Sequence, residues 1–176
     1  MKRKNIKETI RDYFFTNPTS KLRVREMERK LHLPLPSIIR YCAELEKDGI
    51  LRIIKIGGIR LYNASGSDKY HLEKKLFNIR QLYESGLVQF LKIQLSNPVI
   101  LLFGSYSKGE DIEKSDIDLY VETFSDKKLN LENYERVLRR EIQLFRATGI
   151  KTINNHNLAN NIINGIKLNG QIEVFN

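Results

Sequence analysis

The spacing of apolar residues predicts three helices followed by a β-hairpin in the first third of the chain. Helical spacing marks residues 5–15, 25–31 and 37–47, and the third segment has Ile38, Cys42 and Leu45 as its buried stripe. A short strand is expected at residues 22–24. Two β-rich segments, 51–56 and 59–63, flank the pair Gly57-Gly58, which favours a two-residue hairpin turn.

The middle of the chain predicts a linker followed by two more helices. Residues 64–68 are small and polar, as expected of a linker. Between residues 69 and 96, helical spacing gives the first helix an apolar stripe that we expect to be buried: Leu72, Leu76, Ile79, Leu82 and Tyr83. We therefore expect a first domain at residues 1–66, connecting helices at 67–96 and a second domain at 97–176.

Two strands are predicted at the start of the second domain. Residues 99–103 are all apolar, which is typical of a strand buried on both faces, and residues 115–121 alternate between polar and apolar. Asp116 and Asp118 are two residues apart, so they share one face of the second strand. Two neighbouring carboxylates are unfavourable unless a cation or solvent lies between them, and Mg²⁺ prefers such oxygen ligands.

Composition and charge narrow the class of protein. The chain has 176 residues, of which 41% are hydrophobic, enough for one large or two small globular domains. The longest apolar run has five residues, and the charged N-terminal residues lead into no apolar stretch. We therefore expect no membrane-spanning helix and no secretory signal, and a cytoplasmic location.

The positive charge is concentrated at the N-terminal end. Residues 1–66 carry 15 Lys and Arg against 7 Asp and Glu, a net charge of +8, whereas the whole chain has +9. Clustered Lys and Arg are the usual footprint of nucleic-acid binding, because they neutralise phosphates.

The first 65 residues resemble a winged helix-turn-helix domain, with residues 36–47 as the recognition helix. The resemblance implies DNA binding by that helix and the hairpin. Our candidate DNA-binding residues are Ser37, Arg40, Tyr41, Lys47, Lys55 and Arg60. Domains of this family also serve as protein-binding or dimerisation modules, and a homodimer is one assembly that they form.

A second resemblance rests on Phe103-Gly104-Ser105, Lys108-Gly109-Glu110 and Ser115-Asp116-Ile117-Asp118-Leu119. These segments resemble the signature of the DNA polymerase β-like nucleotidyltransferase superfamily, in particular the minimal nucleotidyltransferases of prokaryotes. The resemblance implies that Gly104, Ser105 and Lys108 bind the nucleotide and that Asp116 and Asp118 are catalytic and bind Mg²⁺. The expected fold class is α+β, a winged helix-turn-helix followed by a small mixed-sheet nucleotidyltransferase-like domain.

The third acidic residue of that family has no obvious counterpart. The segment 138–145 resembles the family's third strand, and Gln143 stands where a metal-binding aspartate is usual. A neutral amide is a poorer Mg²⁺ ligand than a carboxylate and cannot act as a general base. Two residues are candidates for the missing acid: Glu141, and Glu173 in the β-like tail at residues 171–175.

Two functions follow from these resemblances. The first is a Mg²⁺-dependent transferase that moves a nucleoside monophosphate from an NTP, with ATP the first candidate, to an acceptor hydroxyl. Minimal nucleotidyltransferases often act as antitoxins, so the acceptor could be a partner protein. The alternative is a transcriptional regulator whose catalytically degenerate second domain binds only a nucleotide or a partner, and Gln143 is its best support.

Overall fold

The computed structural model describes residues 5–173. Contacts divide the chain into two units, Met1–Phe77 and Asn78–Asn176, which we call unit 1 and unit 2. Among the described residues, no helix is long and apolar enough to span a membrane.

Unit 1 contains the predicted three helices and hairpin. Its elements are α1 (Ile6–Thr16), α2 (Val24–Leu31), α3 (Leu35–Lys47), β1 (Leu51–Ile56) and β2 (Ile59–Ala64). Helix α3 begins two residues earlier than predicted, because Pro36 fits the first turn of a helix, where its missing N–H is not needed. Gly57 and Gly58 both have positive φ angles, 55° and 77°, as a two-residue hairpin turn of this kind requires.

The prediction of a strand at residues 22–24 is too long. Leu22 forms only an isolated bridge with Tyr62, in which each backbone N–H donates to the other residue's carbonyl. Val24 is already the first residue of α2. The helix starts there because the Glu26 carboxylate accepts a hydrogen bond from the Arg23 N–H at 2.7 Å, which caps its first turn.

The core of unit 1 is built on the predicted stripe of α3. Ile38, Cys42 and Leu45 are each at most 2% exposed, and they pack with residues of α1 such as Phe14. The Cys42 thiol donates a hydrogen bond to the Met27 sulfur, and burial raises its pKa to about 12. Cys42 is therefore a packing residue and is protected from thiolate chemistry.

The segment predicted as a linker is held against the end of α3. The hydroxyls of Ser65 and Ser67 both donate to the Gly49 carbonyl, at 2.6 and 2.7 Å. Helix α4 (Asp68–Glu84) follows at once, and the boundary between the two units falls inside it, after Phe77. Helix α5 (Leu87–Gln94) lies wholly in unit 2.

The predicted buried face of α4 is largely wrong. Leu72, Leu76 and Tyr83 are 56%, 55% and 50% exposed. Four residues of α4 are buried instead. Tyr70 and Leu82 are hydrophobic, whereas Lys74 and Asn78 are polar. The prediction failed because it counted only apolar residues, whereas polar side chains can be buried when they have hydrogen-bond partners.

Unit 2 is a mixed four-stranded sheet with the strand order β5-β4-β3-β6. Its strands are β3 (Val99–Phe103), β4 (Ile117–Glu122), β5 (Ile142–Ala147) and β6 (Ile166–Asn169), and its helices after α5 are α6 (Gly104–Lys108), α7 (Glu132–Leu138) and α8 (His156–Ile163), with a 3-10 turn at Ile150–Thr152. Strand β4 pairs antiparallel with β3 and parallel with β5. The α+β class is thus confirmed.

Both faces of the sheet are covered, as the apolar run of β3 predicts. Ile100 and Leu102 belong to the core cluster that includes α5, whereas Leu101 and Phe103 pack on the opposite face with residues of α8. Strand β4 shows the same alternation, and its Tyr120 is fully buried.

Two boundaries in unit 2 differ from the predictions. The third strand was expected at residues 138–145, but α7 extends to Leu138 and β5 begins only at Ile142. Helix α8 is followed by strand β6, which pairs with β3. The predicted β-like tail has no regular structure at residues 171–173, and its residues 174 and 175 lie outside the described part of the chain.

Candidate functional site

The acidic pair lies at the start of β4, one of the two inner strands of the sheet in unit 2. Asp116 directly precedes β4, and Asp118 is its second residue. Asp118 pairs in register with Phe103, the last residue of β3, and with Gln143 on β5. The pair is therefore placed where the polypeptide leaves β3 and enters α6.

Gly104, the first residue of α6, lies directly against Asp118. Its φ angle is +69°, and a Cβ built on it would overlap the Oδ2 atom of Asp118. Only glycine combines this backbone conformation with so close an approach. The Gly104-Ser105 turn is thus held beside one carboxylate of the acidic pair.

The Asp118 carboxyl is electrostatically unfavourable in its ionised form. Burial raises its pKa above the usual value, and the neighbouring Asp116 carboxylate raises it further. A divalent cation between the two carboxylates would remove this penalty. The donor chemistry at Asp116 and Asp118 therefore fits Mg²⁺, which takes one or two protein carboxylates together with substrate phosphates.

A third carboxylate does not join the pair. The side-chain amide of Gln143 donates a hydrogen bond to Oδ2 of Asp116. Across residues 5–173, no three His, Cys, Asp or Glu side chains form a group that could hold a metal ion. Neither Glu141 nor Glu173 is therefore placed as a third metal ligand, although both are exposed in the structure.

A cleft of about 480 Å³ opens beside Asp116. Its walls are charged, with both signs represented: Glu113, Lys114, Ser115, Asp116, Glu135, Arg139, Arg140 and Glu141. Glu141 thus lies in the same cleft as Asp116, and its backbone carbonyl accepts a hydrogen bond from the N–H of Ile117 at 2.8 Å. A polar substrate suits such a lining. The charged residues next to Asp116 in the sequence are the signal from which this cleft could be predicted.

The family of unit 2 is identified by comparison with protein-family models. Residues 86–171 match the family described as Polymerase beta, Nucleotidyltransferase. Unit 2 carries a Pol beta-like nucleotidyltransferase domain. No curated protein and no solved structure matches the chain. The match does not reach residues 1–85, so the winged helix-turn-helix of unit 1 stays a prediction.

The nucleotidyltransferase domain places its other candidate nucleotide-binding residues on α6. Ser105 is half-buried and Lys108 is exposed. Gly109 ends the helix with a φ angle of +74°. All three candidates, Gly104, Ser105 and Lys108, therefore lie on one five-residue helix next to the acidic pair.

A buried polar network behind this helix was missed in the sequence. The Asn78 amide donates to the Tyr106 carbonyl at 2.9 Å and to Asp111 Oδ1 at 2.8 Å. The other oxygen of Asp111 lies 3.5 Å from the Arg140 guanidinium, and both residues are at most 7% exposed. The network connects the segment after α6, which contains Asp111, to Arg140 just before β5. It therefore supports the chain segments that lead into β4 and β5, next to the acidic pair. Its members are scattered in the sequence, which gave no local signal.

The candidate DNA-binding residues of unit 1 fall on α3 and the hairpin. Lys55 and Arg60 face each other in the hairpin register and are exposed. The Arg40 guanidinium lies 4.3 Å from the Tyr41 ring centroid and 3.9 Å from the Glu44 carboxylate.

The remaining candidates on α3 differ in exposure. Ser37 is half-buried and Lys47 is exposed. Arg40 and Lys47 are therefore exposed like the hairpin pair, and the Arg40 guanidinium also contacts Tyr41 and Glu44 within the helix.

Proposed function

We propose that the chain is a Mg²⁺-dependent nucleotidyltransferase that transfers a nucleoside monophosphate from an NTP to an acceptor hydroxyl and releases pyrophosphate. The observation that carries the proposal is the close approach of the Asp118 carboxylate to Gly104, with Asp116 two residues away, within a Pol beta-like nucleotidyltransferase domain. ATP is the first candidate donor. The resemblance to minimal nucleotidyltransferases supports a partner protein as the acceptor.

The two carboxylates would hold the metal. When bound, Mg²⁺ neutralises the phosphate oxygens and stabilises the charge that develops during transfer. Asp118 is suited to this role because burial and the Asp116 carboxylate destabilise its ionised form. A bound cation would offset this cost, which favours the cation-bound pair over the cation-free pair.

The Gly104-Ser105 turn would position the nucleotide. Without a Cβ, Gly104 lets a phosphate approach the backbone beside Asp118, and the Ser105 hydroxyl and Lys108 ammonium supply further donors to it. Catalysis would then consist mainly of positioning and charge stabilisation.

The acceptor hydroxyl requires a group to take its proton. Gln143 is neutral and its amide is engaged with Asp116, so it has no capacity as a base. We assign this role to Glu141, because it lines the same cleft as Asp116 whereas Glu173 does not.

We further propose that unit 1 binds duplex DNA. The net charge of +8 on residues 1–66 and the helix-helix-helix-hairpin order support this role. Helix α3 would enter the major groove and the hairpin residues Lys55 and Arg60 would contact phosphates. Binding to DNA would couple the nucleotidyltransferase domain to transcription.

A second candidate function is a transcriptional regulator that binds a nucleotide without turnover. The hydrogen bond from Gln143 to Asp116 and the missing third acid favour it. Under this alternative the acidic pair still binds a metal nucleotide, but no monophosphate is transferred.

Label transfer separates the two candidates. The protein is incubated with ATP labelled at the α-phosphate, Mg²⁺ and a cell extract that supplies acceptors. We expect Mg²⁺-dependent labelling of a macromolecule that is lost in Asp118→Asn and kept in Asp126→Asn, an exposed carboxylate outside the cleft. Nucleotide binding without labelling would contradict the transferase and support the regulator.

Replacing the neutral amide provides a further arm of this experiment. Gln143→Asp would restore an acid at the position paired with Asp118 and remove the donor to Asp116. For a regulator, this variant would acquire labelling activity that the wild type lacks. For a transferase, it would change the rate of an activity already present.

A further inference from the structure

A groove of about 640 Å³ lies between α2, α3 and β2 of unit 1. Three arginines of α2 or its N-cap, Arg23, Arg25 and Arg29, line one side, and Arg60 of β2 lines it as well. Of these four arginines, Arg60 alone is a candidate from the sequence, because the four are spread over nearly 40 positions and come together only in the fold.

The arginines of the groove are available for an anionic partner. All four are exposed, and none is in an ion pair within residues 5–173. The one acid that lines the groove, Glu26, is engaged in capping α2. Guanidinium groups present planar donors that match phosphate oxygens, so four of them in one groove fit a phosphate backbone.

Two lining residues of the groove identify the side of α3 that would face the partner. Ile39 and Ala43 are four residues apart on α3, line the groove and are exposed, Ile39 by 51%. Small apolar side chains on a major-groove helix contact the methyl group of thymine. Arginines on neighbouring elements would then contact the phosphates that border the groove of the duplex.

We propose that duplex DNA binds unit 1 through this groove, with Arg23, Arg25, Arg29 and Arg60 on phosphates and the Ile39–Ala43 side of α3 on base edges. The proposal rests on the proposed DNA-binding function and assigns it a different side of α3 from the Arg40-Tyr41 side. Arg40 supports this choice, because its guanidinium is stacked on Tyr41 and paired with Glu44.

The test compares two triple variants of the full chain that lose the same charge. The groove variant is Arg25→Gln, Arg29→Gln and Arg60→Gln, and the matched control is Lys21→Gln, Lys30→Gln and Lys69→Gln, three exposed lysines outside the groove. Affinity for a labelled 20-base-pair duplex of mixed sequence is measured by fluorescence anisotropy over a series of salt concentrations. Circular dichroism verifies that both variants are folded.

We expect the groove variant to lose at least tenfold in affinity at the lowest salt concentration and the control less than threefold. The slope of log K against log salt should fall by about 2.7 in the groove variant, at about 0.9 for each lost phosphate contact. Equal losses in both variants would overturn the proposal, because binding would then follow net charge alone.

Two other results also overturn the proposal, and they are distinguishable. If the wild type binds the duplex and the groove variant binds it equally well, DNA binding stands and the groove assignment fails, which leaves the groove to an acidic protein segment. If the folded wild type binds no duplex at the lowest salt, the proposed DNA-binding function itself fails.

Discussion

At the scale of single residues, Asp118 carries an energetic cost that its proposed function explains. Burial and the Asp116 carboxylate both raise its pKa in the folded protein. The folded state therefore holds this proton more tightly than the unfolded chain, and ionisation of Asp118 lowers the free energy of unfolding. Sites that bind ligands commonly retain such unfavourable groups.

The first prediction concerns stability without metal. Asp118→Asn should raise the free energy of unfolding at pH 7 in the presence of EDTA. The stability gained should vanish as the pH falls below the usual carboxyl pKa of 3.8, where wild-type Asp118 is protonated in both states. Urea unfolding from pH 3 to pH 8 measures this difference. If the variant were less stable than the wild type at pH 7, the ionised carboxylate would stabilise the folded state and the prediction would be wrong.

A second prediction concerns Gly104. Gly104→Ala places a Cβ on the Asp118 carboxylate at a positive φ angle, so it should destabilise the protein by about 1–3 kcal/mol. It should also weaken nucleotide binding at least tenfold. Gly86→Ala is the matched control, since Gly86 has a φ angle of +80° but no atom within 4 Å of its built Cβ. Equal effects of the two substitutions on stability and binding would refute the close contact.

At the scale of elements, the hydrophobic pattern predicts the helices and strands better than it predicts which faces they bury. The hairpin and the stripe of α3 follow from local signals, namely paired glycines and helical spacing. The buried face of α4 does not follow from local signals. The buried amide of Asn78 donates hydrogen bonds to Tyr106 and Asp111, which are 28 and 33 positions away in the sequence. Likewise, β6 forms by pairing with β3, a long-range contact that its own sequence does not reveal.

The third prediction tests the polar network at this scale. Asp111→Leu would remove the carboxylate that lies 3.5 Å from the buried guanidinium of Arg140, which should cost about 3–5 kcal/mol of stability. Combining it with Arg140→Met should recover part of that loss, since the guanidinium that faced the Asp111 carboxylate is then removed as well. Urea unfolding of the single and double variants provides the comparison. A loss below about 1 kcal/mol for Asp111→Leu would mean that the ion pair does not support unit 2.

At the scale of the whole molecule, charge and chemistry are divided between the two units. The positive charge of residues 1–66 was visible in the sequence, and the acidic pair beside the Gly-Ser turn was visible as a motif. The convergence of four arginines in one groove was not visible, because it depends on where the fold places α2, α3 and β2. Nor was the hydrogen bond from Gln143 to Asp116, which depends on the register of β4 and β5.

The central claim is that Asp116, Asp118 and the Gly104-Ser105 turn form a metal-dependent nucleotide site. Isothermal titration calorimetry with ATP, in Mg²⁺ and in EDTA, tests it most directly because it requires no knowledge of the acceptor. We predict saturable binding that requires Mg²⁺, is lost in Asp118→Asn and is unchanged in Asp126→Asn. If neither ATP nor any other NTP binds the wild type in Mg²⁺, or if Asp118→Asn binds as well as the wild type, the claim is contradicted.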